Sequence, residues 1–492
     1  MVFGGLDVGT TGCKVVLYDE NATLLATYYQ EYDVMRKDGL QEINFADLRE
    51  GVLSLLKKAT AEYRIDALGA TSFGETFTML DENEEILVPS MLYTDPRGEE
   101  ECRELCETVG EEKITLLTGV KPHAMYSISK IMWHKRHNPA AYAKCKHILL
   151  GEDYIIFLLT GKAMINYSLA GRSGAFDIEK KCWVDEVFAA AGVDSSLLAK
   201  PVSCGTIAGP VRDSIKRELG IDYDITVVCG CHDQVAGMIG AGVFSTTQAM
   251  DGTGTVECMP VILNKKPTDI NFYQGGYAVV PFVDDRFACY ALSFTGGATL
   301  KWFRDNFAEL ENEQANKAGK NVYAELDKAV ADAPTGILVL PHFAGAATPY
   351  MDSESKATFV GITLETSKLD LYKALMEGTS YEMLLNFNTM KEQTGEIEEI
   401  RATGGGATSD VWLQIKADIL GTAITALSCK EVGAAGMAAL AGVAVGGYAD
   451  LESTIAKMST VRRVFTPNEA KHSAYAALYK KYANLYKAVK GL

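Results

Sequence analysis

The sequence has 492 residues, 48% of them hydrophobic and 23% charged, an ordinary globular composition long enough for more than one buried core. Lys and Arg number 47 against 64 Asp and Glu, and the resulting formal charge of −17 excludes a general affinity for DNA, RNA or an anionic membrane, leaving room only for a local phosphate-binding patch. The 45 glycines, about 9% of the chain where about 7% is usual, come with only 13 prolines, which excludes collagen-like and Pro-rich low-complexity chains.

No basic run precedes Asp7, so no secretory leader is expected. Eleven cysteines, an odd number without a CxxC pair, read as reduced thiols of a cytoplasmic protein. An apolar run from Val2 to Leu6, a Gly/Thr loop from Asp7 to Gly12 and strands Lys14 to Tyr18 and Leu24 to Tyr29 spell a hairpin hung on a polar loop. Leu48, Val52, Leu55, Leu56 and Ala59 recur at the helical period and predict a helix over 45–63, with Asp47 in its first turn. Strands return at Ala70 to Ser72, Thr76 to Leu80 and Ile86 to Val88. Strands alternating with helices indicate an α/β sheet of mixed direction.

From Pro89 to about Ala199 the chain is predicted mostly helical, most clearly over 128–137 and 140–160, and forms one wall of a cleft. A second α/β section opens with a strand at 224–229. There Cys229-Gly230-Cys231-His232-Asp233-Gln234 puts Asp233 at a helix N-terminus, either as a plain N-cap or as a carboxylate that meets a substrate. After Gly242, the loop Asp251-Gly252-Thr253-Gly254-Thr255 echoes the Asp7 loop and runs into a strand over 256–263. The echo suggests two related halves that meet near 243–248. Further Gly/Thr punctuation follows at Thr295-Gly296-Gly297-Ala298 and Thr403-Gly404-Gly405-Gly406-Ala407. The longest apolar stretch, Val432 to Gly447, is short of the ~20 residues of a membrane span and rich in Gly and Ala, so it reads as a helix packed close to a sheet. In the last helix, over 468–489, Tyr475, Leu478, Tyr482, Leu485 and Val489 form a docked face.

One Gly/Thr loop reads equally well as a hairpin turn, but four fit a nucleotide, whose phosphates and ribose need close approach by bare backbone. The sequence contains no G-x-x-x-x-G-K-[ST], so a P-loop fold is set aside. HRD and DFG are absent, which excludes a protein kinase, and the triple glycine at 404 does not make the dinucleotide fingerprint. H-E-x-x-H is absent too, and His134 and His137 read as a solvated face.

These residues resemble the FGGY carbohydrate kinases, a family that includes xylulokinase, glycerol kinase and gluconate kinase, nearly end to end. LDVGTTGCKVVLYD at 6–19 is similar to the first phosphate segment, 70–97 to the substrate segment, GEDYIIFLLTGK at 151–162 to a helical element, and GCHDQVAGMIGAG at 230–242 to the catalytic segment. Residues 251–255 resemble the second phosphate segment, and 293–305 and 402–421 the adenosine segments. The C-terminal signature is met by Ala357, Phe359, Gly361 and Ile362, then Asp370, Leu371, Ala374, Leu375, Met376 and Glu377.

The resemblance implies an α/β, two-domain actin-like ATPase (ribonuclease H-like) fold with its active site in the interdomain cleft. Residues 1–245 would carry the sugar site, the catalytic base and the first phosphate loop, and 246–492 would bind ATP. It implies Asp233 as general base and Asp7 as the acidic residue near Mg2+. Thr10, Thr11, Gly12, Lys14, Thr253 and Gly254 would meet the phosphates, and Gly297, Gly405, Gly406 and Asp410 the adenine-nucleotide side. Ser72-Phe73-Gly74-Glu75 stands where xylulokinases show Gly-Gln-Met-His and glycerol kinases Asn-Gln-Arg-Glu, which makes Gly74, Glu75, Asp95 and Asp233 the substrate candidates. Tyr126 is displaced by one position from the tyrosine of glycerol kinases, and Ala344 to Pro349 replaces a common Gly-Glu-Arg-x-Pro. The expected acceptor is a small sugar or polyol, first of all a ketopentose such as xylulose; glycerol, another polyol or a sugar acid are the alternatives. A different class is an actin-like ATP-binding sensor without sugar transfer. No nucleic-acid or membrane partner is expected, a homodimer is left open, and the two halves are expected to close on substrate.

Overall fold

Two mixed sheets organise the computed structural model, which describes residues 1–491. The main elements of the first half are β1 (Val2–Val8), β2 (Gly12–Asp19), β3 (Leu24–Glu31), α1 (Phe45–Glu62), β4 (Ala67–Ser72), β5 (Phe77–Leu80), α2 (Ser127–His137), β6 (His147–Leu150), α3 (Gly151–Thr160), β7 (Ile207–Pro210), β8 (Thr226–His232) and α4 (Asp233–Ala241). Its six-stranded sheet has the order β7-β8-β4-β1-β2-β3. The α1 helix forms where its period predicts: Asn44 caps it by accepting from the Ala46 amide, and Leu48, Val52, Leu55 and Leu56 are buried.

Three expectations fail in this half. His134, read with His137 as a solvated face, is buried, and only His137 is exposed. At 86–88 there is no strand, only a single bridge from Ile86 to Leu80. The helix expected over 140–160 is interrupted: a short helix Pro139–Lys144 ends, β6 pairs antiparallel with β5, and α3 begins only at Gly151. Ile148, Leu149 and Leu150 are all fully buried, so this run carries no period by which a strand can be told from a helix.

The second half runs β9 (Gln248–Thr253), β10 (Glu257–Leu263), β11 (Ala278–Pro281), β12 (Phe287–Ser293), α5 (Gly297–Phe307), α6 (Lys368–Thr394), β13 (Glu399–Thr403), α7 (Asp410–Leu420), β14 (Ala423–Leu427), α8 (Val432–Ala444), β15 (Val461–Phe465), α9 (Glu469–Tyr482) and α10 (Leu485–Val489). Its seven-stranded sheet has the order β11-β12-β10-β9-β13-β14-β15. The two sheets repeat one pattern. From β3 through β2, β1 and β4 to β8, successive pairings are antiparallel, antiparallel, parallel and parallel, and the same series runs from β12 through β10, β9 and β13 to β14. The Asp7 and Asp251 loops therefore occupy equivalent turns, each between a central strand and its antiparallel neighbour. This doubling is the expected two-domain actin-like arrangement.

The helix expected to pack close to a sheet does so across the halves: α8 lies on β1 and β4 of the first sheet and against α4. A Cβ on Gly5 would sit 1.7 Å from the Ala434 carbonyl oxygen, and one on Gly240 1.7 Å from that of Val432, so both glycines are required by the approach. The helix predicted over 468–489 divides into α9 and α10, with Tyr475, Tyr482 and Leu485 docked as predicted. Among the described residues no helix is long and apolar enough to cross a membrane.

Candidate active site

The first phosphate loop leaves β1 at Asp7 and re-enters the sheet at Gly12. It is closed by the Gly9 amide donating to the Gly12 carbonyl at 2.9 Å, and the Tyr32 hydroxyl clasps it by donating to the Gly9 and Gly12 carbonyls. A Cβ on Gly12 would lie 2.7 Å from the Gln30 carbonyl oxygen, so only glycine fits this corner. Thr10 is half-buried and Thr11 exposed. Burial pushes the Asp7 carboxyl up to about 6, against the pull of Lys14. Lys14 itself donates to Glu431 at 2.7 Å, an ion pair that joins residues 417 positions apart.

Asp233 is the first residue of α4, directly after β8. Its side chain is 34% exposed on the open side. Enclosure on the other sides, together with the Asp7 and Glu75 charges, pushes it up to about 7. Its Oδ1 is enclosed and has no hydrogen-bond partner, with His232 Nε2 3.2 Å away. Burial and the Arg172 charge hold His232 well below its usual range, so its imidazole is neutral.

Glu75 sits in the left-handed region, with φ of 64°, and is buried. Arg172 Nε donates to its Oε1 at 2.6 Å, and Nη2 pairs with the same oxygen. The guanidinium is flanked by the rings of Tyr126 and Tyr290, 5.2 and 5.7 Å from their centroids. Tyr126, displaced by one position in sequence, is thus at the site, and Arg172, Tyr290 and His232 are residues that the sequence did not single out. Gly74 leaves room for them: a Cβ there would meet His232 Nε2 at 3.0 Å and Arg172 Cγ at 3.3 Å. Asp95 has no free oxygen, since Arg97 Nε donates to its Oδ1 and the Gln41 amide to its Oδ2, each at 2.8 Å. Burial works against its ionisation, but these bonds prevail and hold it below the usual carboxylate range.

In the second half a cavity of about 550 Å3 is lined by Gly254, Gly297, Gly405, Gly406, Tyr323 and Trp412, among others. Four predicted glycines meet here. Gly297 donates to the Gly254 carbonyl at 2.8 Å, and a Cβ on Gly406 would lie 2.6 Å from Thr253 Cβ, so the loops at 254, 297 and 406 interlock. Asp410 does not line the cavity; it pairs with Arg462 at 2.9 Å and Arg463 at 2.7 Å. Beneath the loop Lys416, missed in the sequence, donates to Thr253 Oγ1 at 2.6 Å and Glu257 Oε1 at 2.7 Å, and pairs with Asp251. A larger cavity, about 960 Å3, lies elsewhere, between residues 33–49, 80–89 and Arg212, and holds none of these groups.

The chain matches the model of the FGGY family of carbohydrate kinases, N-terminal domain, over residues 2–240, and that of the C-terminal domain over 252–445. It is 26% identical to a xylulose kinase from Staphylococcus epidermidis, covering 99% of this chain and 97% of that protein. It is 27% identical to a gluconokinase from Bacillus subtilis, covering 98% and 94%. Its fold superposes on that of a ligand-bound xylulose kinase from Lactobacillus acidophilus with a TM-score of 0.90, at 22% identity over 100% of this chain and 98% of the other.

Proposed function

The chain belongs to the FGGY family of carbohydrate kinases, phosphotransferases that act on sugar hydroxyls with ATP as cosubstrate, and from this premise we propose that it phosphorylates a ketopentose such as xylulose, with Asp233 as general base. The observation that carries the proposal is the Asp233 carboxyl: open on one side, unpartnered at Oδ1 and poised at about 7. A base of that pKa is about half deprotonated at pH 7, more so above it, and strong enough to take the proton of a sugar hydroxyl as its oxygen attacks phosphorus.

In this reading residues 1–245 hold the sugar and the first phosphate loop, and 246–492 hold ATP. Glu75 and the space at Gly74 frame the acceptor, while Asp95 acts from behind through Arg97. Thr10, Thr11, the Gly12 turn and Lys14 approach the transferring phosphoryl group, and Gly254, Gly297, Gly405 and Gly406 let the nucleotide lie close to backbone. The Thr253 hydroxyl is already engaged, so Thr253 serves through its amide, and Asp410 steadies the adenosine side through its arginines. Mg2+ bound with ATP needs only one or two protein carboxylates besides phosphates, and Asp7, enclosed and beside the phosphate loop, fits that role. Bound there, the ion supplies charge neutralisation on the phosphate oxygens. Cytoplasmic residence accords with eleven free cysteines among the described residues.

ADP release measured against a panel of ketoses, polyols and aldonic acids tests the reading. Sugar-dependent turnover, lowered about a hundredfold or more in Asp233→Asn, is expected; turnover that stays near the parent's in that variant overturns the base assignment.

A further inference from the structure

Resting on the reading of Asp233 as general base, we propose that Glu152 is a positioning residue for it: with Asn166 and Ser168, Glu152 fixes both ends of a bulge in β8 and so aims the carboxylate that follows. Cys229 pairs with Ala70 and Cys231 with Thr71, which leaves Gly230 between them as an extra residue without a ladder partner. A Cβ there would lie 1.9 Å from the Ala70 carbonyl oxygen, so only glycine fits. Backbone donors at a buried bulge need acceptors outside the ladder. The Gly230 amide donates to Glu152 Oε1 and the His232 amide to Ser168 Oγ, each at 2.9 Å. Asp233 is the next residue, so these two anchors hold the backbone that carries it.

The two anchors belong to one network. Ser168 Oγ donates onward to Asn166 Oδ1 at 2.6 Å and Asn166 Nδ2 to Glu152 Oε2 at 2.6 Å, so the path from His232 returns to Gly230 through a single carboxylate. Each direction in it is fixed. Asn166 Oδ1 also accepts from the Leu169 amide at 2.9 Å, which turns the Asn166 NH2 toward Glu152. Glu152 therefore faces two obligate donors; a side-chain amide in its place would set its own NH2 against that of Asn166 or against the Gly230 N–H. Glu152 and Asn166 are fully buried and Ser168 nearly so, and a bond lost here is not replaced by water. All three lie outside the glycine-lined cavity of the second half, so their loss acts on the base and not on the nucleotide.

The test is ADP release by the full chain, with whichever ketose, polyol or aldonic acid the parent turns over fastest, at pH 8, where Glu152 and Asp233, each pushed up to about 7 by burial, are ionised. Glu152→Gln is expected to lower kcat about tenfold to a hundredfold with the KM for ATP within about twofold, because a displaced base loses its attack geometry. Asn166→Asp alone sets two carboxylates together and is expected to lose as much. Combined, the two substitutions move the carboxylate to position 166, restore a donor and an acceptor at every link, and are expected to return kcat to within about threefold of the parent's. Added to Asp233→Asn, Glu152→Gln should change the residual kcat less than about twofold, since a base that is gone needs no aiming; a merely structural loss would lower both backgrounds alike. Should Glu152→Gln fail to fold, Ser168→Ala, which removes only the link to His232, decides by the same comparison of backgrounds. A Glu152→Gln enzyme as fast as the parent, equal losses in the two backgrounds, or no recovery in the combined variant overturns this inference and leaves the base assignment standing. Asp233→Asn as fast as the parent, or no acceptor turned over at all, overturns both.

Discussion

The Lys416 ammonium donates to the Thr253 hydroxyl at 2.6 Å, and that hydroxyl donates in turn to Asp251 Oδ1 at 2.9 Å, so the threonine of the second phosphate loop has spent its only proton inside the protein. Lys416 is the single cation among two buried carboxylates, Asp251 and Glu257. Lys416→Met leaves the buried Asp251 carboxylate without its cation and Glu257 without its donor, and is expected to cost about 3–5 kcal/mol in urea unfolding. Burial outweighs Lys416 and holds Glu257 well above the usual carboxylate range, so Glu257→Gln removes little charge and should cost less than about 1 kcal/mol. Equal losses in the two variants would contradict this ordering.

The acid limb of the rate profile reports Asp233. Its pKa of about 7 means that the base is protonated, and idle, at lower pH, so sugar kcat/KM should fall about tenfold per pH unit below that value. The Glu75 charge helps to hold the pKa up; Glu75→Gln is therefore expected to move the acid limb to lower pH, whatever its effect on the plateau. An unmoved limb in stopped-time ADP assays would disconnect the two carboxyls.

Asp233 also costs stability. A carboxyl whose folded pKa is raised binds more protons in the folded than in the unfolded chain between about 4 and 7, so stability falls as pH rises through that window and the loss is complete above it. Asp233→Asn is expected to lower kcat about a hundredfold to ten-thousandfold while melting no lower than the parent at pH 8. A clearly lower melting temperature would assign the residue a structural role instead.

Contact between the halves depends on backbone approach. Gly240→Ala places a methyl 1.7 Å from the Val432 carbonyl oxygen, a clash with backbone rather than with a mobile side chain, and forces α4 and α8 apart. Overpacking of this kind typically costs about 1–3 kcal/mol, and because α4 begins at Asp233 the variant should lose activity as well as stability. Thermal melts and ADP assays on the same sample check both.

Much of the site was legible because its residue types follow from local rules. Loops that must turn sharply beside a ligand need Gly and Thr, and those at 7–12, 251–255, 295–298 and 403–407 stand at strand or helix ends. Asp233 was legible for the same reason, as an acid at a strand-to-helix junction. Elements with one buried face, such as α1, also announced themselves. β6 did not, because both of its faces are covered and its apolar run merges into that of α3.

The sequence alone determined the order of the phosphate loops, the repeated α/β grammar and the position of the acid at the head of α4, because each depends on residues adjacent in the chain. Only the tertiary structure decided what those residues face. Arg172 reaches Glu75 across 97 positions, Lys416 reaches Thr253 across 163, and Lys14 is drawn to Glu431 across 417. Lone arginines and lysines carry no periodic or turn signal that names their partners; those arise when burial removes water and leaves each charge to find the partner that the fold brings within reach. The glycine excess shows both sides: its phosphate-loop members were readable in place, whereas Gly5 and Gly240 acquire their necessity only where α8 of one half presses on the backbone of the other.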